Sequence, residues 1–61
     1  MCLSTVMLEK NGTQEKVCEY VSNVKTDGKK ITLVDVMGNE TFVEGTLKSM
    51  DFIKNLIVVE A

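Results

Sequence analysis

The chain contains no histidine, no proline, no arginine and no tryptophan, and each absence removes a class of reading. Without histidine there is no imidazole to act as general base beside a cysteine or serine nucleophile. Nor can the chain supply the mixed cysteine and histidine sets that close many zinc sites. Without proline, every strand residue keeps its N–H for a ladder. Without arginine, and with a net charge of −2 at neutral pH, the chain lacks the cationic surface on which nucleic-acid affinity first rests. The densest basic stretch, Lys25 with Lys29-Lys30, has Asp27 inside it and reads as the solvated rim of a turn. Tyr20, Phe42 and Phe52 are the only aromatic residues, too few for a base-stacking platform. The glycines stand singly at Gly12, Gly28, Gly38 and Gly45, so no glycine-rich phosphate loop is formed. The longest apolar run near the C-terminus, Leu56-Ile57-Val58-Val59, is far too short to span a membrane. The opening residues carry neither the basic stretch nor the long apolar region of a signal peptide, which argues against a lipoprotein cysteine and for a cytoplasmic protein.

What remains is a short globular sequence. Its 61 residues are 44% hydrophobic and 26% charged, which predicts one small β domain over residues 1–61. A core of that size is marginal alone and gains from oligomerisation. The pattern reads as short strands punctuated by turns. The first strand is predicted over roughly residues 2–9, closed by Asn11-Gly12, whose tolerance of positive φ suits a type I′ hairpin. A second extended segment runs with a bend through Lys16–Val21 towards Val24, and Thr26-Asp27-Gly28 turns it back. Ile31–Met37 is β-branched and reads as a well-buried strand, with Gly38-Asn39 leading into Glu40–Glu44. Gly45 marks a bulge or corner, after which Leu47–Ile53 and Leu56–Glu60 are joined by Lys54-Asn55. The fold class is all-β: a small five- to six-stranded barrel of the SH3-like or Sm-like kind, or a strongly bent antiparallel sheet. Its exposed edges, expected on the first or last strand, invite pairing with a second copy.

Chemistry concentrates at one position. Cys2 follows the initiator methionine, and a small second residue usually lets Met1 be removed. An α-amine and a thiol would then share one carbon and grip a single soft metal together. Cys18 reads instead as a packed core residue. A Cys2–Cys18 disulfide is disfavoured in a reducing cytosol, and two thiolates alone fall short of a zinc set. Met7, Met37 and Met50 are scattered singly through strand patterns and read as core filling. Glu9, Glu15, Glu19, Asp35, Glu40 and Asp51 show no paired spacing for general acid–base work and read as a solvated face. No catalytic residue is predicted, and the chain reads as a non-enzyme.

The opening Met-Cys-Leu-Ser-Thr-Val-Met-Leu resembles the start of the CooT-type small nickel-binding proteins. Ile31–Gly38, Val43–Leu47, Met50–Ile53 and Ile57–Glu60 resemble the family's later landmarks, so the likeness covers nearly the whole chain. The resemblance implies a cytoplasmic homodimeric β-protein that binds Ni(II) through Cys2 as a metal-handling accessory. Its implied partner is a nickel enzyme or that enzyme's maturation machinery. Some relatives carry a histidine in the last hairpin turn; this chain has Asn55 there. Square-planar Ni(II) favours nitrogen and sulfur donors. With Met1 removed, two protomers meeting at their N-termini would supply an N2S2 plane. With Met1 retained, its amine, the Cys2 amide and the Cys2 thiolate form a chelate within one chain. The alternative function is a small β-barrel RNA-binding or protein-interaction module.

Overall fold

The computed structural model describes residues 3–61. These form six strands and no helix: β1 (Ser4–Lys10), β2 (Thr13–Asp27), β3 (Lys30–Asp35), β4 (Glu40–Glu44), β5 (Thr46–Asp51) and β6 (Leu56–Glu60). They build one sheet in the order β4-β3-β2-β1-β6-β5. Among the described residues, therefore, no helix is long and apolar enough to cross a membrane.

The turns follow the local chemistry. Asn11 (φ 53°) and Gly12 (φ 79°) are both left-handed and close the β1–β2 hairpin, the conformation a type I′ turn requires. β2 is 15 residues long and serves two half-sheets. Its first part pairs with β1 and its second with β3. Against β1, β2 takes one extra residue between Cys18 and Val21 and another between Lys16 and Cys18; against β3 it takes one between Val21 and Asn23. Tyr20 lies in the first of these bulges with φ 57°. Such insertions bend and twist a strand, and here they turn the two half-sheets towards each other.

Every neighbouring pair is antiparallel except β1–β6, which is parallel, with Thr5 opposite Leu56 and Glu9 opposite Glu60. The sheet is thus bent as expected but not antiparallel throughout. The expectation that the first or last strand offers a free edge is also corrected. β1 lies between β2 and β6, and β6 between β1 and β5; the edges are β4 and β5. The cause is in β6 itself. Ile57, Val58 and Val59 are all buried, so successive side chains on both faces are covered, which only an interior strand provides.

Gly45 decides how far the sheet rolls. β4 and β5 occupy opposite edges, yet this one residue separates them in sequence. The sheet must therefore curl until its edges meet at that corner. The Gly45 N–H donates to the Lys29 carbonyl at 2.8 Å. A Cβ at Gly45 would overlap the Glu60 carbonyl oxygen and lie 2.9 Å from Val59 Cγ1. Away from the corner no ladder joins β4 to β5 among the described residues, so the sheet is not closed into a barrel.

The concave side holds the core: Val6, Val21, Ile31, Leu33, Ile57 and Val59. Cys18, opposite Val6 across β1 and β2, packs against it, as do Leu8, Val24 and Leu47. The methionines do not all join them. Met37 and Met50 are exposed, contrary to their reading as core filling, and Met7 is half-buried. The strands β3 and β5 stop at Asp35 and Asp51, earlier than their apolar patterns suggest.

Candidate functional site at the start of β1

Cys2 lies outside the described residues, which begin at Leu3. The chain passes from Cys2 through Leu3, which is half-buried, into Ser4, which pairs with Val21. The Thr5 N–H donates to the Asn55 carbonyl at 2.9 Å. β1 therefore starts wedged between the bulged middle of β2 and the β5–β6 turn. Asn55 sits at φ 53°, a conformation Asn adopts more readily than most residues. Beside Ser4 a groove of about 280 Å3 opens on the concave side. Its apolar walls come from Val21, Val24, Met50, Phe52 and Ile57, and none of the described residues lining it is charged.

Two aspartates, read from sequence as part of a solvated face, hold the turns at this end of the sheet. Asp35 Oδ1 accepts the N–H groups of Met37 and Asn39, both at 2.9 Å, and Oδ2 accepts Asn39 Nδ2 at 3.3 Å. Asp51 Oδ1 accepts the N–H groups of Ile53 and Lys54, both at 3.0 Å. Donors aimed at a carboxylate favour its charged form. The Asn39 backbone N–H foremost holds the Asp35 pKa below its ordinary value, and the Lys54 N–H does the same for Asp51. Glu9, on β1, is likewise no free surface acid. Gln14 Nε2 donates to it at 3.0 Å and Lys48 of β5 forms an ion pair with it. The Gln14 hydrogen bond, then Lys48, lowers the Glu9 pKa, and Glu9 raises that of Lys48.

The basic cluster is offset by acids. Lys29 and Lys30 share a shallow groove of about 600 Å3 with Asp27 and Glu44, and the Lys30 ammonium stands 5.3 Å from the Phe42 ring centroid. That balance of charge does not make a phosphate-binding surface. Among the described residues no group of three or more histidine, cysteine, aspartate or glutamate side chains is gathered to hold a metal. The Cys18 thiol points towards the Glu19 carbonyl, 3.7 Å away.

Comparison with known proteins adds two findings. The family model described as "CO dehydrogenase accessory protein CooT" matches residues 1–60, a range that includes Cys2. The crystal structure of "putative CooT from Carboxydothermus hydrogenoformans" is similar with a TM-score of 0.87 and 15% sequence identity, over 97% of this chain and 95% of that one. At that identity the likeness shows the fold alone. No curated protein matches the chain.

Proposed function

This chain belongs to the CooT family of CO dehydrogenase accessory proteins, and from that membership we propose that it binds Ni(II) through Cys2 and delivers it to a nickel enzyme. The observation that carries the reading is Met1-Cys2 within the family match. Nickel is cargo here and not a resident cofactor. The reading takes Met1 as the initiating residue. Its removal leaves an amine and a thiolate on Cys2, half of a square plane, which a second protomer completes. Its retention gives an amine, an amide nitrogen and a thiolate from one chain. Both arrangements suit the nitrogen and sulfur preference of Ni(II). The proposed protein is a cytoplasmic homodimer and acts as an accessory without catalysis of its own.

Both donor sets must lose protons to bind. A free thiol titrates near pH ~8.5 and an α-amine near pH ~8, so uptake releases protons and weakens as pH falls. The test is a Ni(II) titration followed by ultraviolet–visible absorption and native mass spectrometry, with intact mass reporting whether Met1 is present. A thiolate-to-nickel charge-transfer band is expected in the parent and absent from Cys2→Ser, whose fold and dimer are retained. Saturation at one metal per dimer identifies the shared site, and at one per chain the single-chain chelate. Tight nickel binding by Cys2→Ser refutes the assignment.

A further inference from the structure

The two free edges of the sheet are not alike. β5 is interrupted at Lys48, an extra residue between Leu47 and Ser49 with no counterpart on β6, and this lysine is paired with Glu9. A bulge and a lysine are devices by which an edge strand refuses a further strand. β4 carries neither. Its residues Glu40-Thr41-Phe42-Val43-Glu44 pair with β3 in unbroken register, and none of them is lysine or proline.

The hydrogen bonds at its two ends fix which groups β4 offers. The Asp35 N–H donates to the Asn39 carbonyl at 3.0 Å, and the Gly45 N–H to the Lys29 carbonyl at 2.8 Å. Hydrogen-bonded pairs alternate along an antiparallel ladder, so Asn39, Thr41, Val43 and Gly45 turn their backbone groups to β3. The N–H and C=O groups of Glu40, Phe42 and Glu44 therefore face the open side. The side chains of these same three residues are exposed, Phe42 by 59%. The Lys30 ammonium stands 5.3 Å from the Phe42 ring centroid, and neither Glu40 nor Glu44 forms an ion pair among the described residues. An edge built only to repel needs no aromatic at its centre.

A strand laid antiparallel beside β4, the more stable pairing, sets its alternate residues opposite Glu40, Phe42 and Glu44 on one face. There opposite charges attract, an aromatic pairs well with a β-branched residue, and like charges repel. We infer that β4 docks an extended segment of a partner protein by strand addition, and that the alternate residues of this segment run basic, β-branched, basic. A second copy is the wrong occupant. Pairing β4 with itself about Phe42 sets Glu40 of each copy opposite Glu44 of the other, and the β5 edge of a second copy is broken at Lys48. The exposed Val36, Met37, Phe52 and Ile53, carried outward by the aspartate-held turns at the end where the chain begins, lie where the proposed homodimer meets. The β4 edge is separated from β1 by β3 and β2, so its docking is independent of the nickel reading.

The test is an amide NMR titration of the metal-free chain with the peptide Thr-Lys-Thr-Val-Thr-Lys-Thr, which carries the pattern on one face. Shifts are expected to concentrate at the Glu40, Phe42 and Glu44 amides, with the homodimer mass unchanged. Glutamates in place of the peptide lysines should weaken binding at least about tenfold, because two attractive pairs become repulsive. N-Methylation of the peptide valine, whose N–H faces Phe42, should abolish binding, and N-methylation of a threonine beside it should not. Glu40→Lys/Glu44→Lys, altered only at exposed positions, should invert the preference to the glutamate peptide. Glu40→Gln/Glu44→Gln should remove the preference and serves where charge reversal unfolds the chain. Equal binding of the two peptides by the parent overturns the inference, as do indifference to valine methylation and a parent that binds neither peptide. Concentration-dependent shifts at the same three amides without peptide also overturn it, since a second copy then covers the edge.

Discussion

Replacing Gly45 by alanine tests the claim that one residue sets the curvature of the sheet. The added Cβ would meet the Glu60 carbonyl oxygen, with Val59 Cγ1 at 2.9 Å and the Glu60 carbonyl carbon at 3.1 Å. Two of these atoms are backbone of β6, and Val59 is fully buried, so no flexible side chain can swing aside. Overpacking of this kind costs about 1–3 kcal/mol, and the φ of 158° adds strain of about 1 kcal/mol. Globular stability of roughly 0.05–0.15 kcal/mol per residue gives a 61-residue chain about 3–9 kcal/mol to lose. A cost of about 2–4 kcal/mol is therefore a large share of the total. It should lower the thermal midpoint by about 10–30 °C, at about 4–8 °C per kcal/mol for a domain this small. Gly12→Ala supplies the control. Gly12 is also left-handed, at φ 79°, but nothing lies within 4 Å of its would-be Cβ, so backbone strain of about 1–2 kcal/mol is the whole expected cost. Urea unfolding followed by far-ultraviolet circular dichroism should rank Gly45→Ala well below Gly12→Ala, with unchanged m-values. Equal midpoints for the two variants would show that close approach at the corner does not hold the sheet.

Leu33→Ala, at a fully buried position in the core, should cost about 2–5 kcal/mol and leave much of the chain unfolded at 37 °C by circular dichroism; a loss below about 1 kcal/mol would place the core elsewhere. The lowered pKa values of Asp35 and Asp51 mean that each contributes stability fully present above the ordinary carboxylate value of about 4 and lost as pH falls through its lowered folded value. Thermal melts from neutral to strongly acidic pH should therefore show a flatter acid limb for Asp35→Asn/Asp51→Asn than for the parent, and parallel limbs would remove the aspartate clamps as the cause.

Much of the fold is legible locally. Asn11-Gly12, Gly38-Asn39 and the corner at Gly45 announce their turns because each needs backbone freedom that few residues have. The bend in β2 is legible as well, although its three bulges are not, since nothing in Lys16–Asn23 distinguishes an inserted residue from a paired one. Strand neighbours are harder. Hairpins can be read from the residues that close them, whereas the parallel β1–β6 pairing joins the two ends of the chain with no turn to announce it. One signal was available: the unbroken Leu56-Ile57-Val58-Val59 run argues for a strand covered on both faces, hence an interior one. With β6 inside the sheet, the edges fall to β4 and β5.

The site divides in the same way. Cys2, the proposed nickel ligand, is singled out by its position alone and lies outside the described residues. The apolar end could not be read from sequence, because Val36, Met37, Phe52 and Ile53 look like core residues continuing their strands. What reverses that reading is the aspartate before each pair. A carboxylate that accepts N–H groups further along the chain competes with the ladder and ends the strand, so the apolar residues after it are carried outward. The same Asp-apolar-apolar pattern occurs twice, and both copies end on the side of the sheet where the chain begins. One instance would be a turn solution. Two, flanking an apolar-walled groove and a free strand edge, make the wet apolar surface a property of that end of the molecule, and the functional question becomes what binds there.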